Sequence, residues 1–213
     1  MPSSQPVDPA SHGPARTVTE IFPDTNQLKV LAHPMRLRIL GILRRDGPAT
    51  ATQLAQRLGL NSGATSYHLR QLAQHGLISD DETRGNARDR WWRATHETTR
   101  VEPAAVDDPA ARAAVGAFNR TVALSYVAEL QASLDERADL PREWADVIDD
   151  SDWNIWLTPA QVNEALERIH AILDELHRAA PAWSENPPDR AVLYTVQLHG
   201  FPRPGKIARP DET

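Results

Sequence analysis

TATQLAQRLGLNSGATSYHLRQLAQHGLI, residues 50–78, reads as two short helices joined by a tight turn. Leu54, Ala55 and Leu58 recur at about one turn and mark the apolar side of the first helix. Gly59 follows, where a left-handed residue closes a helix cheaply. Leu60 packs inward, and Asn61 is an N-cap whose side-chain oxygen accepts from an orphan amide of the next turn. The second helix is expected from about Ser62 to His75, with Gly76 ending it. Thr65, Leu69 and Leu72 share its core face, which leaves Ser62, Gly63, Ser66, Tyr67, Arg70 and Gln74 outward. A small polar face with one guanidinium and one phenol can approach base edges, donate to phosphates and read guanine in a bidentate manner. The structural alternative is that two helices with a glycine turn form an ordinary packing unit.

The rest of the 213-residue chain narrows the choice. With 40% apolar and 24% charged residues it has the composition of a folded soluble protein, large enough for one large or two small domains. The absence of cysteine excludes disulfides, thiolate metal sites and thiolate catalysis. No stretch is apolar for long enough to span a bilayer, and the first twenty residues lack the apolar run of a secretory signal, so no membrane partner and a cytoplasmic location are expected. There is no Gly-rich phosphate loop and no nucleophile elbow, so neither enzyme activity nor a cofactor is expected. Net charge is −2 over residues 1–26, +6 over 27–96 and −10 over 97–213, giving −6 for the whole chain. A basic segment joined to an acidic one is the pattern of a protein in which only the first meets phosphates.

Residues 1–23, rich in Pro, Ser, Ala and Thr with a single Arg at position 16, are expected to be a disordered arm. QLKVLAHPMRLRILGILRRDG (27–47) is helical in pattern but divided by Pro34, so one helix ends near His33 and another runs from Pro34 to Arg45. Arg36, Arg38, Arg44 and Arg45 lie on or near its polar side, as solubilising charge or as phosphate contacts. Beyond the second helix of the motif, Leu77 and Ile78 open a strand, residues 80–86 turn, and residues 88–94 return with Trp91 and Trp92, one facing the core and the other away. Arg84, Asn86, Arg88 and Arg90 place a basic hairpin beside the outward helix face, within reach of a minor groove or flanking phosphates.

The combination LAHPMRLRIL (31–40), then SYHLRQLAQHGLI (66–78), then the hairpin ending RDRWWRA (88–94) resembles the winged helix-turn-helix domain of ArsR-type bacterial transcriptional regulators. The likeness covers about seventy residues, roughly 24–100. It implies that Ser62, Gly63, Ser66, Tyr67 and Arg70 face double-stranded DNA, that His68 is partly buried and braces the helix, and that residues 84–90 act as the wing. It also favours homodimers. The family's metal sensors use cysteines in the first helix of the motif, or Asp and His on a helix after the wing. Here that first helix has no cysteine, and THETTRVEPAAVDDPAA (95–111) is not such a helix, so no metal site of that kind is expected.

Residues 101–109 read as a linker and 110–201 as a C-terminal dimerisation or effector domain, with a disordered tail at 202–213. A long helix is expected from Ala110 to about Arg137, with Ala111, Val115, Phe118, Val122, Tyr126, Leu130 and Leu134 forming a stripe that suits pairing of two copies or packing within one. Strand patterns occur at residues 152–157 and 192–198. Between them, Thr158-Pro159-Ala160-Gln161 starts a helix with Val162, Leu166, Ile169, Leu173 and Leu176 on one side. Glu167, His170, Asp174 and His177 share another face of that helix, as a solvated charge cluster or as ligands for a divalent ion. Trp144, Trp153, Trp156 and Trp183 are core residues of a small domain or the lining of an effector cavity. The fold expected is mainly α with small β: an N-terminal winged helix-turn-helix domain and a C-terminal α+β region of long helix and small antiparallel sheet. The function expected is a sequence-specific dimeric repressor on a palindromic operator, with an unidentified small-molecule effector as a further candidate partner. The alternative is a winged-helix module that contacts proteins rather than DNA.

Overall fold

Pro34 cannot continue a helix through its own amide, and the chain breaks there as expected. In the computed structural model, which describes residues 17–84, 89–101, 108–180 and 189–207, helix α1 spans Thr25–Leu31 and α2 spans Pro34–Arg45. Each helix carries its own start signal. Asp24 and Gln27 form a capping box on α1, while His33 caps α2 by accepting from the Met35 amide through Nδ1 at 3.2 Å. Helix α3 (Ala51–Leu58) is capped by Thr50 with Gln53 and ends at Gly59, whose φ of 64° is left-handed. Helix α4 (Ser62–Gln74) follows, capped by Asn61 and closed at Gly76 with φ 68°.

The small sheet wedges beneath these helices. Strand β2 (Ala49–Thr50), β3 (Ile78–Asp80) and β4 (Trp91–Ala94) are antiparallel in the order β2-β4-β3, with Ala49 opposite Trp92 and Ile78 opposite Ala94. Trp92 is buried and Trp91 half-buried on opposite sides of β4, as alternation requires. Leu31, Ile39, Leu40, Leu54, Leu69, Leu72 and Leu77 are the most deeply buried large side chains, so the core sits between α1–α4 and this sheet.

Two elements extend the unit beyond expectation. Residues 20–21, in the stretch read as a disordered arm, form strand β1 (Glu20–Ile21), which pairs in parallel with β5 (Thr98–Thr99); Ile21 is buried. Helix α5 (Pro109–Glu136), capped by Asp108, buries Ala111, Ala114, Phe118 and Thr121 against α1 and α2. Thr121 Oγ1 donates to the Ala32 carbonyl at 2.8 Å. The first half of α5 therefore belongs to the N-terminal core, and its second half extends out of it.

A 3-10 turn (Arg137–Asp139), the short helix α6 (Arg142–Ala145) and α7 (Pro159–Ala179) complete the regular structure. Helix α7 starts with the expected Thr158–Gln161 capping box and Pro159. The strands expected at 152–157 and 192–198 do not form: residues 151–158 and 191–203 have no regular structure. A strand is defined by its partner, and no described segment of this chain lies in register with either. No helix among the described residues is long and apolar enough to cross a membrane.

Candidate nucleic-acid interface

Helix α4 is sorted cleanly into two faces. Thr65, Leu69 and Leu72 have no exposed surface, and Thr65 also ties its hydroxyl to the Asn61 carbonyl at 3.1 Å. Opposite them Ser62, Gly63, Arg70 and Gln74 are exposed, Tyr67 is 51% exposed and Ser66 is half-buried. Asn61 Oδ1 accepts from the Ala64 amide at 2.8 Å, which occupies one of the free amides at the helix start. A Cβ on Gly63 would touch nothing nearer than Asn61 Oδ1 at 3.4 Å, so the glycine keeps this first turn flat rather than relieving a clash. Gln74 accepts from Gln71 at 3.2 Å.

The face is held from behind. Gln27 on α1 donates to the His75 carbonyl at 2.9 Å, and His75 Nδ1 lies 2.9 Å from the Gln71 carbonyl, pinning the end of α4. The rings of His68 and His33 stand 4.9 Å apart, and Tyr67 packs edge-on against His68 at 5.6 Å. Burial pushes both imidazoles below their ordinary value; nearby Arg36 adds to the shift at each, and His33 adds to that of His68. His68 is half-buried and braces α4 in the manner the family resemblance implies.

In the described part of the wing, Asp80 and Asp81 offset the arginines. Buried Asp81 accepts from the Thr83 hydroxyl at 2.6 Å and its amide at 3.2 Å, fixing the turn. Arg90 pairs with Asp80 at 2.7 Å and lies 4.2 Å over the Trp92 ring. Arg84 lies 3.9 Å from Asp81 and 5.8 Å from the Trp91 ring. Asn86 and Arg88 lie outside the described residues.

Three of the four α2 arginines have structural tasks. Arg36 donates to the Val30 carbonyl at 2.6 Å, joining α1 to α2. Arg44 is half-buried, and loss of hydration lowers its pKa to about 10. It donates to the His96 carbonyl at 2.8 Å, the Thr98 carbonyl at 3.3 Å and Thr99 Oγ1 at 2.9 Å, clamping β5. Arg45 pairs with Glu129 of α5 at 2.9 Å. Arg38 is exposed.

Sequence reading missed the His33 side of the brace and the Arg44 clamp. The apolar run around Arg44 was a usable signal, since an arginine among Leu40, Ile42 and Leu43 has to find acceptors or leave the core.

In the second half, the four residues on one face of α7 do not converge. Asp174 turns to Arg100 at 3.7 Å and His177 to Glu97 at 3.8 Å, so they dock α7 on the segment around β5. Among the described residues no group of three or more His, Cys, Asp or Glu is placed to hold a metal ion. Of the tryptophans, Trp153 and Trp156 stand in solvent, neither core nor cavity lining within one chain, while Trp144 is half-buried and Trp183 lies outside the described residues.

Comparison with known proteins agrees with this geometry. A family described as "Helix-turn-helix domain" matches residues 31–80. The HTH-type transcriptional regulator NmtR of Mycobacterium tuberculosis is 44% identical over 54 residues, 25% of this chain and 44% of the relative. The HTH-type transcriptional regulator YgaV of Escherichia coli is 41% identical over 51 residues, 24% of this chain and 52% of the relative. The chain thus spans about half the length of these relatives. Reduced HlyU from Vibrio cholerae is 32% identical, with 32% of this chain and 68% of that one covered at a TM-score of 0.29. The long α5 and everything after it lie outside the residues matched by the family. On the strength of α2 to β3 and the sequences they share, residues 31–80 are a helix-turn-helix domain, similar to those of relatives named as HTH-type transcriptional regulators.

Proposed function

We propose that the protein is a sequence-specific, DNA-binding transcriptional regulator of the cytoplasm, and that it represses by occupying a palindromic operator as a homodimer. The observation that carries this reading is the division of α4: one face wholly buried, the other small, polar and uncovered, with Arg70 and Tyr67 projecting from it. A helix of this kind fits the major groove, where Arg70 meets guanine and Ser62, Gly63, Ser66, Tyr67 and Gln74 meet base edges and phosphates. The wing from residue 80 to 90 lies on the flanking backbone, with Arg84, Asn86, Arg88 and Arg90 as its contacts. Two copies are needed to read two half-sites. Relatives named as HTH-type transcriptional regulators support the same reading. Chemistry on a substrate has no part in it, and a small molecule acting on the C-terminal region is its open regulatory input.

Selection of bound duplexes from a random library, followed by fluorescence anisotropy on the selected site, tests it. The expected site is two inverted half-sites about one helical turn apart, and affinity falls steeply with salt although the chain's net charge is −6. Arg70→Ala is expected to lose about tenfold or more in affinity for that site, with the fold unchanged by circular dichroism. A protein that retards no duplex at low salt but retains a bound protein partner would be the winged-helix interaction module instead.

A further inference from the structure

The C-terminal region is apolar in the wrong places for a single chain. Trp156 is 100% exposed, Trp153 73% and Ile155 66%; in the other strand-patterned segment Leu193 is 69% exposed. Helix α7 is amphipathic over 21 residues and buries none of them. The outer half of α5 carries Leu124, Val127, Leu130 and Leu134, all exposed. Among the described residues, nineteen large apolar residues between 124 and 201 are left in water. At about half the ~150–200 Å² that a large side chain can bury, they amount to on the order of 1,500–2,000 Å². The largest apolar patch of a typical monomer is about 300–600 Å². An obligate dimer buries about 1,000–2,500 Å² per partner. Summed over these residues, the exposed apolar area is of the size that one partner of an obligate dimer buries.

Three observations identify the missing half. Residues 192–198 are held along their own chain: Tyr194 Oη donates to the Val147 carbonyl at 2.8 Å and Gln197 to Glu129 at 3.1 Å, and the ring of the adjacent His199 meets Tyr126 at 5.3 Å. That segment is a fixed edge with open backbone. Residues 152–157 are an arm of similar length that ends in bare tryptophan and isoleucine, with Asn154 turned to its neighbour Asp152 at 3.1 Å. The charges flanking the two segments are complementary. Asp149 and Asp152 lie at the start of the arm, beside an Asp150 already paired with Arg137 of its own chain, while Arg203 and Lys206 lie beyond the end of the edge, so an antiparallel pairing sets acid against base. The net −10 of residues 97–213 makes an anionic partner such as nucleic acid or an acidic membrane surface unfavourable.

We propose that residues 152–157 of one copy pair antiparallel with residues 192–198 of a second copy, and that this reciprocal exchange closes the bare faces of α5 and α7 into one shared core. The inference rests on the homodimer proposed above and names its interface. The two strand patterns in the sequence are then satisfied between chains rather than within one. Trp153 and Trp156 become core residues of the pair.

The absence of cysteine makes the test clean. Two single-cysteine full-length variants, Ile155→Cys and Thr195→Cys, one lengthened by a tag, are unfolded, mixed, refolded together and oxidised. The mixed disulfide is expected to exceed both same-variant disulfides. Light scattering is expected to give twice the 23.6 kDa chain mass, and tryptophan emission to shift to the red on dilution. Trp156→Asp is expected to be monomeric, with the helical circular dichroism of α1–α5 kept. A monomer at tens of micromolar, a dimer unaffected by Trp156→Asp, or same-variant disulfides dominating the mixture would each overturn the exchange. A dimer that shows the mixed disulfide but retards no duplex would sink the DNA reading and leave the exchange standing. A Trp156→Asp monomer that still binds one half-site weakly would support both.

Discussion

His33 and His68 meet behind the outward face of α4, and their protonation is coupled to its support. His33 Nδ1 is an acceptor from the Met35 amide, which only the neutral ring can provide, and His68 Nδ1 is buried with no partner among the described residues. Both pKa values lie below the ordinary 6.5, first through burial and then through Arg36, with His33 itself acting on His68. The unfolded chain therefore takes up these protons before the folded one. The stabilising contribution is complete above about pH 6.5 and is lost as pH falls below it towards the folded values. Melting temperature measured from pH 8 to pH 5 is expected to drop over the acid half of that range, and His68→Gln is expected to flatten the drop. A slope unchanged by the substitution would place the titration elsewhere. The family resemblance made the bracing role of His68 legible, whereas its partner was not, because nothing local connects two residues thirty-five positions apart.

Among the elements, those with local punctuation were read correctly. Pro34, Gly59, Gly76, Asn61 and the Thr158–Gln161 pair each act within four residues of themselves, and each bounds a helix where expected. Asn61→Ala removes the side-chain acceptor for the Ala64 amide and is expected to cost about 1 kcal/mol in a denaturant melt; on the proposed function it also weakens DNA binding, as the first turn of α4 frays. Elements that depend on distant partners were read less well. The β1–β5 pair joins residues 78 positions apart and was invisible in a segment that looked like an arm. The patterns at 152–157 and 192–198 were legible as alternation, yet alternation says only which side would be buried, not what against. The outward residues of α4 were legible because a 3.6-residue period with three apolar positions fixes the other face. The wing's charge was overstated, since Asp80 and Asp81 take up much of Arg90 and Arg84.

Across the whole molecule, charge and apolar surface are divided between the two halves. The basic half encloses its own core and leaves a polar helix face open. The acidic half encloses almost none and leaves apolar surface open. Helix α5 is the piece common to both: its first turns are locked among α1 and α2, and its last turns carry the outer stripe. With 28 residues it is about 42 Å long and has no proline after its first residue to hinge it. In the homodimer proposed above, a rod gripped at one end works as a gauge: whatever fixes the outer ends of the two rods sets the distance and angle between the two α4 faces. One residue inserted at the middle of α5 would turn the outer stripe by about 100° against the gripped end. On the proposed function, such a variant should keep its helix-turn-helix fold and lose the operator spacing expected of the unaltered chain in selection from a random library. The spacing of sites on the chromosome would then be written in the length of a helix that touches no base.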